Sequence, residues 1–115
     1  MMSECIFCRI AAHKAKAAVV YEDELCVVFK DTNPQAPVHL LVIPRKHIVS
    51  LNDATDDENA LLGHMLVLAA RMAKKHGIDG PGFRTVINTN AEAGQTVFHL
   101  HIHVLGGRRL HWPPG

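Results

Sequence analysis

The sequence predicts an α+β domain: a mainly antiparallel sheet of about five short strands, one long helix and a short N-terminal helix. Three observations predict it. Short β-prone runs are punctuated by turn residues along the chain. Only one stretch sustains a helical apolar period. No regular β-α-β alternation occurs, which disfavours a doubly wound parallel sheet. With 115 residues, 48% hydrophobic and 20% charged, the chain is expected to form a single domain over residues 1–115 with a genuine core.

The elements follow in order. A short helix is expected near residues 5–10. Residues 17–22 and 25–30 are β-prone runs, and Asp23-Glu24 between them suggests a hairpin. Residues 31–37, Asp31-Thr32-Asn33-Pro34-Gln35-Ala36-Pro37, read as a loop by their turn residues and prolines. Residues 38–43 read as a strand closed by Pro44, with Arg45, Lys46 and His47 on its exit.

A long helix is expected from 56 to 76. Thr55 and Glu58 form a capping box, and Asp56, Asp57 and Glu58 complement the positive end of the dipole. Leu61, Leu62, Met65, Leu66, Leu68, Ala69, Met72 and Ala73 make a broad apolar stripe. Lys74, Lys75 and His76 occupy the last turn, and Gly77 suits the position after it. Residues 83–88 read as a strand and 89–95 as a turn. Residues 97–105 read as the last strand, and 106–115 as a Gly- and Pro-rich tail carrying Trp112.

Charge and composition exclude several classes. A net charge of +1 gives no polybasic footprint for nucleic acid or for a membrane surface. No apolar run approaches the ~20 residues that span a bilayer. The start, Met1-Met2-Ser3-Glu4-Cys5, lacks a basic and then apolar leader pattern, so the expected place is the cytoplasm. Three cysteines without such a leader argue against a disulfide framework. Cys26 lies in an apolar run and reads as a buried small hydrophobe.

Histidine is the unusual residue, with nine in the chain. His99, His101 and His103 alternate with Leu100, Ile102 and Val104. On a strand this puts three imidazoles on one face and three core residues on the other. The long helix is expected to pack on that apolar face. Alternate strand residues lie roughly 6.6 Å apart and the outer pair roughly 13 Å. One metal ion holds its nitrogen ligands at about 2.0–2.1 Å, so one flat strand is poorly built to give all three to a single ion. An anion lying along the row fits better. Neutral imidazole is a nucleophile near pH 7, and protonated imidazole is a donor and acid. Gly94 permits close backbone approach, and Thr96 offers a hydroxyl to a phosphate oxygen.

The run His99-Leu100-His101-Ile102-His103-Val104-Leu105 resembles the signature of the histidine triad family. The loop 31–37, residues 39–47, Gly94-Gln95-Thr96-Val97-Phe98 and the ending His111-Trp112-Pro113-Pro114-Gly115 are similar to its nucleotide-binding protein branch. The resemblance covers nearly the whole chain. It implies a purine nucleoside phosphoramidase, a hydrolase that cleaves the P–N bond of adenosine 5′-phosphoramidate and of AMP joined to a lysine-like amine. His101 then corresponds to the nucleophile that is transiently adenylylated. His103 corresponds to its phosphate and proton partner, with His99 and His39 orienting the cluster. Asp31 corresponds to the carboxylate that accepts the ribose hydroxyls, and Asn88 to a second polar contact. Ile6, Phe7, Ile10 and Phe29 correspond to the base pocket, with Gly94, Gln95, Thr96 and Val97 beside the nucleotide. The chemistry requires no cofactor. A homodimer is implied, its sheets joined edge to edge.

Two departures from the family pattern stand out. Thr96 replaces a common Ser and keeps the hydroxyl. Ala15-Lys16 replaces a common Ile-Pro, a segment read as carrying no chemistry.

Cys5-x-x-Cys8 is half of a tetrahedral zinc site by spacing. In many family members the pair is completed by residues corresponding to His47 and His99, which implies a closed, structural Zn²⁺ site. The alternative is two reduced thiols without metal. A thioredoxin-like role is disfavoured, since no β-α-β context follows. Two other functions fit the same motif: a dinucleoside polyphosphate hydrolase, and a non-enzymatic nucleotide-binding scaffold.

Overall fold

The computed structural model describes residues 4–115. Its strands are β1 (Val19–Glu22), β2 (Cys26–Lys30), β3 (Val38–Pro44), β4 (Phe83–Val86) and β5 (Ile102–Gly106), and its helices are α1 (Ile6–Ala11) and α2 (Asn59–Lys75). The sheet order is β1-β2-β3-β5-β4, with every adjacent pair antiparallel. This is the expected α+β architecture of five strands, one long helix and a short N-terminal one. No helix among the described residues is long and apolar enough to cross a membrane.

The β1–β2 hairpin is tied by Asp23. Its Oδ1 accepts from the backbone N–H groups of Leu25 and Cys26 at 2.8 and 2.7 Å, a side-chain mimic of a backbone turn. Its Oδ2 accepts from His64 Nε2 of α2 at 2.8 Å. Cys26 is fully buried.

α2 is preceded by a 3-10 turn, Asp56–Glu58, and the Thr55/Glu58 capping box forms there. The helical stretch therefore opens as a tighter turn, and the α-helix itself begins at Asn59. Met65, Leu68, Ala69, Met72 and Ala73 pack on Val28, Leu40, Val42, Leu100, Ile102 and Val104. The helix thus covers the sheet face expected for it. Leu66 departs from the expected stripe: it is 49% exposed, because the buried arc of α2 is narrower than the apolar arc of its sequence. α1 covers the opposite face, where Phe7, Ile10 and Ala11 pack on Val27, Phe29, Leu41 and Ile43. β2 and β3 accordingly carry core residues on both faces.

The histidine segment departs from the expected strand. Pairing of β3 with β5 ends at Val42↔Ile102, so residues 97–101 lie outside the ladder. Pro44 has no N–H to donate, and its carbonyl accepts from His99 Nε2 at 2.8 Å. Leu100 N–H donates instead to Ile48 O at 2.6 Å. The chain leaves the sheet to bring His99 toward α1, while Leu100 still points into the α2 core.

Candidate active site

His103 stands on β5 opposite Leu41 of β3, and His39 lies two residues before Leu41 on the same face. That face carries α1, so both imidazoles enter the α1 side of the sheet. Gln35 N–H donates to His39 Nδ1 at 3.0 Å, which leaves the neutral ring its proton on Nε2. His39 Nε2–H then donates to His103 Nδ1 at 2.8 Å. Neutral His103 therefore carries its proton on Nε2, the nitrogen left for the pocket that His103 lines.

His101 has the opposite tautomer. Its Nδ1–H donates to the carbonyl of His99 at 2.7 Å, so Nε2 keeps a free lone pair. The His101 and His103 rings lie 5.0 Å apart. One ring offers a lone pair and its neighbour offers an N–H. Burial pushes His103 down to about 4, with the neighbouring His101 and His39 adding to the effect. Burial also lowers His101, against the hydrogen bond to His99 O, and lowers His39 against the charge of Asp31. All three rings are neutral at pH 7, the state in which imidazole is nucleophilic.

A cavity of about 430 Å³ opens over these rings. Ile6, Phe7, Ile10, Phe29 and Leu41 form its apolar wall, and Phe7 meets Phe29 edge-on at 5.4 Å. Asp31, Thr32, Asn88, Gly94, Thr96 and Val97 line the remainder with His101 and His103. Asp31 Oδ1 accepts from Asn33 N–H at 2.8 Å, and Oδ2 lies 3.3 Å from His39 Nε2. Gly94 turns the chain beside the cavity with φ +88°, a left-handed conformation that favours glycine.

Of the residues singled out in the sequence for catalysis or nucleotide binding, all but three line this one cavity. His39 and His99 lie behind the wall. Gln95 is buried and turned into its own loop: Nε2 donates to the carbonyls of Val49 and Val97, and Oε1 accepts from Asn90 N–H. The amide braces the 89–95 turn and does not line the cavity, because that turn leaves backbone groups without a strand partner.

Sequence reasoning missed Lys16, which lines the cavity although its segment was read as empty of chemistry. A cation in place of the family's Ile-Pro was the available signal. Lys30, Thr32, Ala17 and Leu41 were missed as well. Their strand or loop positions carried no motif.

A second cluster lies beside the first. Cys5 caps α1, its Sγ accepting from Cys8 N–H at 3.4 Å. The Nδ1 atoms of His47 and His99 lie 3.1 Å apart. Cys5 Sγ lies 3.4 Å from His99 Nδ1, and Cys8 Sγ lies 3.2 and 3.5 Å from the Nδ1 atoms of His47 and His99. A tetrahedral zinc ion sets edges of about 3.3 Å between nitrogens and about 3.6 Å between nitrogen and sulfur. The four residues fit that polyhedron and form a candidate zinc site. His99 Nε2–H is held by Pro44 O, which leaves Nδ1 as the ligating lone pair. Burial and the adjacent Cys5 push the Cys8 thiol up to about 11, so that thiol needs a counter-cation to ionise. A dication supplies it.

The paired imidazoles and the cavity above them define a family as well as a site. Residues 12–110 match the model of the HIT domain. The chain belongs to the HIT, or histidine triad, family. It is 56% identical to an uncharacterized HIT-like protein of Synechocystis sp., over 115 residues that are the whole of both chains. It is similar to the crystal structure of a HIT family hydrolase from Legionella pneumophila, with 47% identity and a TM-score of 0.96 over 97% of this chain and 100% of that one. A Zn-bound histidine triad family protein from Mycobacterium smegmatis is 34% identical, with a TM-score of 0.79 over 100% of this chain and 82% of that one.

Proposed function

We propose that this chain is a purine nucleoside phosphoramidase of the nucleotide-binding branch of the family, acting through a nucleotidyl-histidine intermediate. The observation that carries the reading is the tautomer pair. His101 is fixed with a free Nε2 lone pair beside a His103 that carries Nε2–H, under a slot with an apolar wall and a carboxylate.

The base lies against Phe7 and Phe29, and Asp31 accepts the ribose hydroxyls with the oxygen not held by Asn33. The phosphate reaches the histidines. Its negative charge favours the imidazolium form of His103, which takes up a proton on Nδ1 as substrate binds, while His39 Nε2–H turns from that nitrogen to Asp31 Oδ2, 3.3 Å away. His101 Nε2 attacks phosphorus and the P–N bond breaks. His103 gives its Nε2 proton to the departing nitrogen, which leaves as a neutral amine. The new ring cation on His101 is stabilised through Nδ1–H to His99 O. Water then attacks phosphorus, His103 takes its proton, and the P–N bond to His101 breaks to release the nucleoside monophosphate. No metal takes part in these steps.

The same reading puts Zn²⁺ on Cys5, Cys8, His47 and His99, where four protein ligands leave no open position for chemistry. It also makes the protein a homodimer. β4 is an edge strand, and a groove lined by Leu51, Leu62, Leu66 and Ile87 lies open beside exposed Leu66 and Val67. A second copy joined along β4 covers both.

Steady-state hydrolysis of a panel of nucleoside 5′-phosphoramidates, set against diadenosine polyphosphates, tests the activity. Faster P–N than P–O cleavage is expected. The reverse order overturns the assignment in favour of polyphosphate hydrolysis, and tight AMP binding without turnover favours a scaffold.

A further inference from the structure

We infer that the Cys5/Cys8/His47/His99 cluster and the nucleotide pocket are coupled, so that a zinc ion bound at the first and a purine nucleotide bound at the second each tighten the other's binding. The inference rests on the nucleotide reading of the pocket given above.

Two physical connections carry it. The first is α1. At six residues it is too short to persist on its own propensity, so its order comes from what ties it down. At its C-terminal end, Arg45 Nη1 donates to Ala11 O at 2.8 Å. At its N-terminal end the tie is the cluster: Cys5 is the cap and Cys8 lies in the first turn, and their sulfurs lie 3.2–3.5 Å from the imidazoles of His47 and His99. Between those ties, α1 presents Ile6, Phe7 and Ile10 to the pocket. A cation that gathers the four ligands fixes the N-terminal turn, and with it the wall on which a base stacks.

The second connection is His99. Its Nδ1 faces the sulfurs while its own carbonyl accepts from His101 Nδ1–H at 2.7 Å. One residue therefore holds the metal side with its ring and the nucleophile with its backbone. Phe7 adds a third contact, its ring 6.0 Å from that of His99 and 5.1 Å from that of His101.

Binding at one site orders the groups the other site needs, so the second ligand meets less disorder to overcome. Linkage makes the effect reciprocal and equal in both directions. A coupling factor of about ten lies within the usual 5–150-fold range.

The experiment measures AMP affinity by calorimetry for the full chain, reduced, in zinc-loaded and chelator-stripped forms. Zinc affinity is measured by chelator competition with and without saturating AMP. The expected result is AMP binding about tenfold tighter to the loaded form, and zinc held tighter by the same factor when AMP is present. Amide exchange over residues 6–11 is expected to slow on loading while residues 59–75 stay unchanged. Equal AMP affinity in the two forms overturns the coupling, as does zinc content below a tenth of an equivalent in protein purified without chelator. AMP binding to neither form overturns the nucleotide reading itself. In C5A/C8A the AMP affinity is expected to match the stripped chain and to ignore added zinc; a response to zinc in that variant overturns the assignment of the ligands.

Discussion

The carbonyl oxygen of His99 accepts a 2.7 Å hydrogen bond from Nδ1 of His101. This contact sets the tautomer of the ring beneath the pocket and leaves Nε2 as its only free nucleophilic atom. A side chain therefore receives its chemical role from a backbone group two residues away.

Replacing His101 by Ala removes the nucleophile while leaving the apolar wall and Asp31 in place. Turnover of adenosine phosphoramidate is expected to fall below a few per cent of wild type, with AMP still bound. Calorimetry beside a single-turnover assay checks both halves. Retained hydrolysis above that level refutes the assignment.

The His39–His103 hydrogen bond at 2.8 Å predicts a leaving-group effect. His39→Phe leaves His103 Nδ1 without its donor. General acid–base catalysis contributes typically about 10²–10⁴-fold, and a loss toward the lower end is expected. The loss should be steepest for poor amine leaving groups and mild for an activated phenolate. A uniform loss across the series would assign His39 to folding alone.

Asp31 is the pocket carboxylate. Asp31→Asn is expected to weaken AMP binding about tenfold, the scale of a charge-assisted hydrogen bond. The informative comparison is AMP against its 2′,3′-dideoxy analogue. Wild type should discriminate between them and the variant should not. Equal discrimination in both proteins removes Asp31 from the ribose.

The buried histidines predict acid lability. His103 is held down to about 4 in the folded chain, below the ordinary histidine value. The unfolded chain then binds the extra proton first as pH falls. Stability is full above the ordinary value and is lost as pH falls toward about 4. Urea unfolding at pH 7.5 and pH 5 should show a lower midpoint at pH 5. His103→Phe should reduce that difference, since it removes a group whose protonation favours the unfolded chain.

The exposed face of α2 predicts assembly. Leu66→Asp places a charge beside the Leu51/Leu62/Ile87 groove without disturbing the buried arc of the helix. Sedimentation is expected to report a dimer for wild type and a monomer for the variant. A monomeric wild type overturns the proposed dimer.

Much of the fold was legible in the chain. Periodicity placed the long helix and the Leu100/Ile102/Val104 face, and Thr55 with Glu58 marked the 3-10 turn that opens the helical stretch. The strand limits were less legible, because a β-prone run does not say where its partner ends. Residues 97–101 are the clearest case: their composition is that of a strand, yet Pro44 across the sheet withholds the N–H that would continue the ladder. Leu66 shows the same limit on the helix, whose apolar arc is wider than the surface the sheet offers.

The candidate site divides in the same way. The sequence by itself determined which side chains could do phosphate chemistry, since alternation along a short segment orders His99, His101 and His103 whatever the rest of the chain does. Only the tertiary structure decided how each is used. His99 turns its ring to Cys5, Cys8 and His47, His103 is paired with His39, and Gln95 braces a turn while Lys16 reaches the pocket wall. The reason is physical. An imidazole's role depends on which of its two nitrogens is occupied, and the ring partners of His99 and His103 come from segments 52 to 94 residues distant in the chain.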